Sequence, residues 1–207
     1  MHKDDRYHQD PIAFVGREVV ITEKLDGGNT CLYGGEVYAR STGQPSHHGW
    51  MGMVRKHHAW KTVDARPDMV FYGEDLFGIH SIEYDAMRED ETFRLFAARY
   101  INPKYMEGGW FADHDLLEKI AAELGVITVP TLFKGTFDSV EDITEWFEAH
   151  IDQPSTLGGE CEGFVIKRNT PIIADQFSHY VAKYVRANHV QTDEHWTRNW
   201  QQCRLKT

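Results

Sequence analysis

At 207 residues the chain is long enough for one sizeable domain with a core of its own, and residues 1–207 read as a single domain. Apolar residues at 41% exclude wholesale disorder, and no apolar run approaches the roughly 20 residues that a bilayer crossing needs, so a cytoplasmic protein with no membrane partner is expected. A net charge of −10 excludes broad, non-specific nucleic-acid binding, but leaves room for a local basic groove or for carboxylates gathered around a cation and phosphates.

In chain order, residues 19–21 form an apolar strand leading into Glu23-Lys24-Leu25-Asp26-Gly27-Gly28-Asn29. Residues 30–33 and 36–40 are strands around Gly34-Gly35, a two-residue hairpin signal. The polar and aromatic stretch 47–60 reads as a loop followed by a short helix, and 69–72 and 93–98 as further strands. Residues 113–124, with an acidic start and Gly125 as a stop, have the spacing of an amphipathic helix, and 139–150 read likewise. Residues 162–167 and 180–184 return to strand character. Strands interrupted by a helical insertion predict an α+β fold with antiparallel sheets. The cysteines Cys31, Cys161 and Cys203 are widely spaced, which suits reduced thiols rather than a disulfide framework.

Lys24-Leu25-Asp26-Gly27 places a lysine, a carboxylate and a glycine turn at a strand end, a setting that can present a nucleophile. Alone, Lys-x-Asp-Gly recurs by accident in roughly one in twenty chains of this length, so the downstream residues decide its meaning. Tyr72-Gly73-Glu74 puts a carboxylate at a strand end, and Glu162-Gly163-Phe164-Val165-Ile166-Lys167 puts a carboxylate and a lysine at either end of another. Period-two alternation sets Glu162, Phe164 and Ile166 on one face and Gly163, Val165 and Lys167 on the other. Lys183 then sits within Val181-Ala182-Lys183-Tyr184-Val185.

In this order the strings resemble the collinear motifs of the covalent nucleotidyltransferase superfamily of polynucleotide ligases and messenger RNA capping enzymes. Lys24-Leu25-Asp26-Gly27 resembles motif I, Tyr38-Ala39-Arg40-Ser41 motif Ia, Tyr72-Gly73-Glu74 motif III, and Phe93-Arg94-Leu95-Phe96 motif IIIa. Glu162-Gly163-Phe164-Val165-Ile166-Lys167 resembles motif IV, and Val181-Ala182-Lys183 part of motif V. Asn29, in Lys-x-Asp-Gly-x-Asn, is similar to the RNA ligase 2 and RNA-editing ligase branch.

The resemblance implies two antiparallel sheets flanked by helices around an ATP cleft, and an ATP-dependent RNA ligase acting through a lysyl-adenylate. Lys24 would be the nucleophile, with Lys167 and Lys183 stabilising charge at the α-phosphate. Glu162 would hold Mg2+ or Mn2+. Glu23 and Phe96 would contact adenine, Glu74 a ribose hydroxyl, and Arg40 ribose or an acceptor phosphate, with Asn29 in the same nucleotide site. The partners implied are RNA ends, one 5′-phosphate and one 3′-hydroxyl, with a protein partner or a second copy adding nucleic-acid surface. About twenty residues follow motif V, too few for an OB-fold.

The sequence departs from the family pattern at two places. Ala97 follows Phe96 where the family continues with aspartate; valines flank Lys183 where a second lysine is usual; and Arg186 is the nearby cation that could compensate. The alternatives are a DNA ligase or capping-type guanylyltransferase and, in another class, a module that binds nucleotide or RNA ends without sealing. Twelve histidines, including His47-His48, His57-His58, His179, His189 and His195, show no standard zinc spacing.

Overall fold

The structure, a computed structural model, describes residues 11–40, 43–63, 68–101, 108–186 and 200–206. Val19–Lys24 (β1), Gly28–Tyr33 (β2) and Glu36–Ala39 (β3) come first. The turn between β2 and β3 has Gly34 at φ +57° and Gly35 at φ +84°, conformations that favour glycine and match the twist of a tight hairpin. The helix expected near residues 47–60 is Gly52–His57 (α1), flanked by 3-10 turns at Gly49–Met51 and Ala59–Thr62.

Met69–Asp75 (β4), Gly78–Ile79 (β5), Phe93–Tyr100 (β6) and Trp110–Phe111 (β7) come next. Then come His114–Leu124 (α2), Ile127–Thr128 (β8), Thr131–Gly135 (β9) and Val140–His150 (α3). Both longer helices start where their caps dictate: the Asp113 side chain accepts from Leu116 N, and Ser139 Oγ accepts from Asp142 N, satisfying amide groups that have no intrahelical partner. Gly163–Arg168 (β10), Ile172–Ile173 (β11), Phe177–Tyr180 (α4), Val181–Val185 (β12) and Gln201–Gln202 (β13) complete the order.

One sheet is antiparallel, ordered β12-β10-β1-β9; the larger is ordered β11-β7-β6-β4-β2-β3. The expectation of two purely antiparallel sheets needs two corrections. β8 joins β6 in parallel, because the chain leaves α2 beside β6 and crosses toward β9, and β13 forms a separate two-stranded ribbon with β5.

Three apolar clusters hold the layers together. Ile21, Phe164 and Ile166 of the smaller sheet pack against Ile143 and Phe147 of α3. Leu32, Phe71, Phe93 and Leu95 of the larger sheet pack against Leu117 and Ile120 of α2. The third cluster lies where the chain passes between sheets, and includes Leu25, Leu76, Phe77, Val129 and Cys203. Residues 200–206 strap across it: Cys203 N donates to Phe77 O at 2.8 Å, Met87 N to Arg204 O at 3.1 Å, and Lys206 N to Met87 O at 2.9 Å. Leu25 is 2% exposed, and burying a side chain of this size contributes about 1.5–3 kcal/mol, so the residue after Lys24 is pinned by the core.

Candidate active site

β1 ends at Lys24, and only Leu25, Asp26 and Gly27 separate it from β2 in the other sheet. Lys24 therefore stands at the seam between the two sheets. Gly27 makes that short crossing feasible: a Cβ there would lie 2.6 Å from Asp75 O and 2.8 Å from Leu76 Cδ2, so no larger residue fits beneath the end of β4.

Strand register puts the three predicted lysines on one face. Lys24 pairs with Gly163, Thr22 with Val165 and Val20 with Lys167 across β1 and β10, while Lys183 of β12 pairs with Val165. Paired residues share a face, so Lys24, Lys183 and Lys167 occupy successive rows about 7 Å apart. Burial lowers the Lys167 pKa to about 8, with Glu118 and Asp113 opposing the shift. Lys183 is exposed on its strand.

Glu162 forms an ion pair with Lys24 through Oε1. Alternation predicted it on the face opposite the lysines, but β10 begins only at Gly163, so Glu162 precedes the pleat and its side chain reaches Lys24. Asn29 and Glu74 are direct cross-strand partners at the adjoining edge of the larger sheet. Burial raises the Glu74 pKa to about 8; Lys24 opposes this, and the charges of Glu162 and Asp26 add to it. One cluster therefore holds the lysine and three carboxylates, drawn from positions up to 138 residues apart.

The role of Asp26 was not foreseen beyond its turn preference. Its Oδ2 accepts from Ser81 N at 2.8 Å, Ser81 Oγ at 2.7 Å and Ile82 N at 2.8 Å, while Asp26 N donates to Tyr84 Oη at 2.8 Å. The loop after Lys24 is thus bolted to residues 81–84. The Asp-Gly pair was the available signal, and it does not reveal partners more than fifty residues away. Glu23 is buried on the other face of β1; its Oε2 accepts from Thr156 N at 3.1 Å and Thr156 Oγ1 at 2.6 Å, and its Oε1 has no hydrogen-bond partner among the described residues.

Phe96 is half-buried and packs on the cluster containing Leu25. Opposite it the β4–β6 register shifts between Tyr72 and Gly73, with Tyr72 facing Ala97 and Gly73 facing Leu95. Phe96 is the extra residue of a bulge, a device that re-aims a side chain and also disturbs the alternation around Ala97. Arg40 is exposed just after β3, and its neighbour Ser41 lies outside the described residues, as do His189 and His195. Arg186, the candidate stand-in for a second motif V lysine, forms an ion pair with Glu160, so its guanidinium is engaged away from the lysine rows.

Among the described residues no group of three or more His, Cys, Asp or Glu is arranged to hold a metal ion, and no helix is long and apolar enough to cross a membrane. The three cysteines are unbridged.

The family model for RNA ligase matches residues 17–185, which include every residue of the cluster. The chain belongs to the RNA ligase family. Among solved structures, Naegleria gruberi RNA ligase with PPi is similar at a TM-score of 0.62 and 17% identity, covering 89% of this chain and 56% of that one. A mutant of the same ligase with ATP and Mn gives 0.60 and 16%, covering 91% and 57%. A further mutant, with AMP and Mn, gives 0.59 and 16%, covering 89% and 56%. The chain thus spans a little over half the length of these structures, and at such identity the likeness concerns the fold. No curated protein matches the chain in sequence.

Proposed function

We propose that this member of the RNA ligase family is an ATP-dependent RNA ligase that joins a 5′-phosphate to a 3′-hydroxyl through a lysyl-adenylate on Lys24. The observation that carries the reading is the Lys24–Glu162 pair at the seam of the sheets, with Glu74 and Asn29 beside it and two further lysines on the same face. Nucleotide binding alone does not require a nucleophilic amine at this position.

In the proposed first step the Lys24 amine, having shed its proton, attacks the α-phosphorus of ATP; an N–P bond forms, the P–O bond to the β-phosphate breaks, and pyrophosphate leaves. Lys167 and Lys183 stabilise the charge on the phosphate oxygens. Glu23 offers its unpartnered Oε1 to the adenine amino group, Phe96 offers its ring face, and Glu74 with Asn29 bonds the ribose. Arg40, exposed just after β3, would engage the ribose or an acceptor phosphate. The adenylate then passes to the 5′-phosphate of RNA, and attack by the 3′-hydroxyl expels AMP and leaves a phosphodiester.

The donor set fits a divalent cation of the magnesium or manganese kind: the ion takes one or two carboxylates and completes its shell with phosphates and water, so no all-protein cage is required. Glu162 would hold it, and the charges of Glu162 and Asp26 beside Glu74, which add to the rise that burial gives the Glu74 pKa, make the kind of negative field such an ion relieves. When bound it supplies charge neutralisation at the phosphates. The similar structures with ATP and Mn support ATP and a divalent ion, and another of them holds PPi.

The test is incubation of the protein with magnesium and α-labelled ATP, followed by a denaturing gel and mass spectrometry, then a chase with nicked and single-stranded RNA carrying 5′-phosphates. Label on Lys24 that chases into sealed RNA is the expected result, and Lys24→Ala should take no label. Full charging of Lys24→Ala would sink the mechanism, and charging by GTP in place of ATP would favour a guanylyltransferase.

A further inference from the structure

Strands β2, β3, β4 and β6 bury one face of the larger sheet and leave the other half-open. Leu32, Val37, Phe71 and Ala98 belong to the cluster under α2, and alternation turns Cys31, Tyr33, Tyr38, Tyr72 and Arg99 the opposite way. All five are half-buried, and among the described residues none joins an apolar cluster. The solvated face of an antiparallel sheet is ordinarily polar. Here three tyrosines occupy it, and Phe111 of β7, paired with Arg99, extends the aromatic surface with its ring centroid 6.0 Å from that of Tyr72.

This face is continuous with the candidate nucleotide site. Asn29 and Glu74 pair across β2 and β4, and two residues along, Cys31 pairs with Tyr72 on one side and Tyr38 on the other. The tyrosine row therefore lies about 7 Å from the Asn29–Glu74 row, and the two tyrosines stand about 10 Å apart across the small side chain of Cys31. Aromatic rings set on either side of a low centre leave room for unpaired bases to stack. Charge on the face is close to balanced. Glu74 faces buried Arg94 in the first row and Glu36 stands at the β3 margin, against Arg99, which donates to Gly108 O at 2.8 Å, and exposed Arg40. On a chain of net charge −10 with no cationic excess here, RNA held on this face is gripped through its bases more than its phosphates.

We propose that this open sheet face is the platform for single-stranded RNA next to the end being joined, with Tyr38 and Tyr72 each stacking on an unpaired base. The proposal rests on the ligase reading above and adds a substrate class to it. The favoured end has unpaired terminal bases, because a duplex hides the ring faces that the tyrosines need. The platform holds RNA and takes no part in the chemistry at Lys24.

The experiment uses a fluorescently labelled, 5′-phosphorylated single-stranded RNA of about eight nucleotides, the same strand in a blunt duplex, and an abasic strand of equal length. Binding is read by anisotropy at two salt concentrations for the parent protein, Tyr38→Leu, Tyr72→Leu and the two phenylalanine variants, with lysyl-adenylate formation from ATP read in parallel. The parent should bind the single strand about tenfold more tightly than the duplex or the abasic strand. Each leucine variant should bind the single strand about five- to tenfold more weakly with an unchanged salt slope, while the phenylalanine variants, which keep the ring, stay within about twofold of the parent. A sheet that merely needs tyrosine for packing would instead lose binding to all three ligands alike. Tyr38 lies away from the Tyr72–Phe111 contact, so Tyr38→Leu carries the test even if Tyr72→Leu folds poorly. Equal binding of the single strand by the parent and the leucine variants overturns the proposal, as does abasic or duplex RNA that binds the parent as tightly, or a parent that binds no single strand. A parent that never charges with ATP overturns the ligase reading instead, and the base-dependent, tyrosine-dependent binding would still decide the role of this face.

Discussion

Asp26 gives a sharp test of how the loop after Lys24 is held. Its single Oδ2 takes three hydrogen bonds at 2.7–2.8 Å, two of them from exposed Ser81 and one from buried Ile82. Bonds to a charged acceptor are worth about 1.5–3 kcal/mol when buried, and solvent reduces the two on Ser81 to about 1 kcal/mol each. Asp26→Ala should therefore cost about 4 kcal/mol, whereas Asp26→Asn, which keeps an oxygen acceptor without the charge, should cost about half as much. At about 2–4 °C per kcal/mol for a chain of this size, the melting temperature falls by about 8–16 °C for alanine and about 4–8 °C for asparagine. Thermal unfolding by circular dichroism reads the loss, and lysyl-adenylate formation well below either midpoint reads whether the freed loop misplaces Lys24. An alanine variant that melts within about 2 °C of the parent would refute the bolt between this loop and residues 81–82.

Other groups titrate in ways that can be read directly. Burial raises the Asp75 pKa to about 8, against an opposing bond from Phe77 N at 3.0 Å. The folded state therefore holds a proton that the unfolded chain releases near pH 3.8; the stability this contributes is full below that pH and lost as pH rises through about 8. Asp75→Asn should escape the loss, so its advantage in urea unfolding should widen by about 1.4 kcal/mol per pH unit between pH 5 and 8; parallel stability curves would contradict this. Lys167, lowered to about 8, carries its charge below that pH and sheds it above. If it serves the phosphates, charging should fall on the alkaline side, and Lys167→Arg should move that limb upward; an unmoved limb would remove Lys167 from the site.

The long elements were legible because their burial follows a simple period. α2 and α3 announce themselves by Asp113, Gly125 and Ser139, and β1 by its unbroken apolar run. β9 was missed because it is only half-buried and follows Pro130, so it lacks both alternation and a clean start. β7, β8, β11 and β13 are two residues long and carry no period. The collinear motifs named most of the candidate cluster in advance. What they could not convey was geometry created by other segments: the clasp of Ser81 and Ile82 on Asp26, the extrusion of Phe96 by a register shift, and the diversion of Arg186 to Glu160. Each depends on a partner distant in sequence, where local propensity carries no information.

The strap formed by residues 200–206 bears on the order in which the chain becomes competent. Every strand that carries a lysine or carboxylate of the cluster has been synthesised by Val185, yet the apolar wall around Leu25 is closed by Trp200, Cys203 and Leu205. A nascent chain that has emerged only as far as its last lysine-bearing strand holds its chemistry on an unfinished foundation. A product that stops at Val185 retains the motifs but lacks the Trp200, Cys203 and Leu205 packing around Leu25.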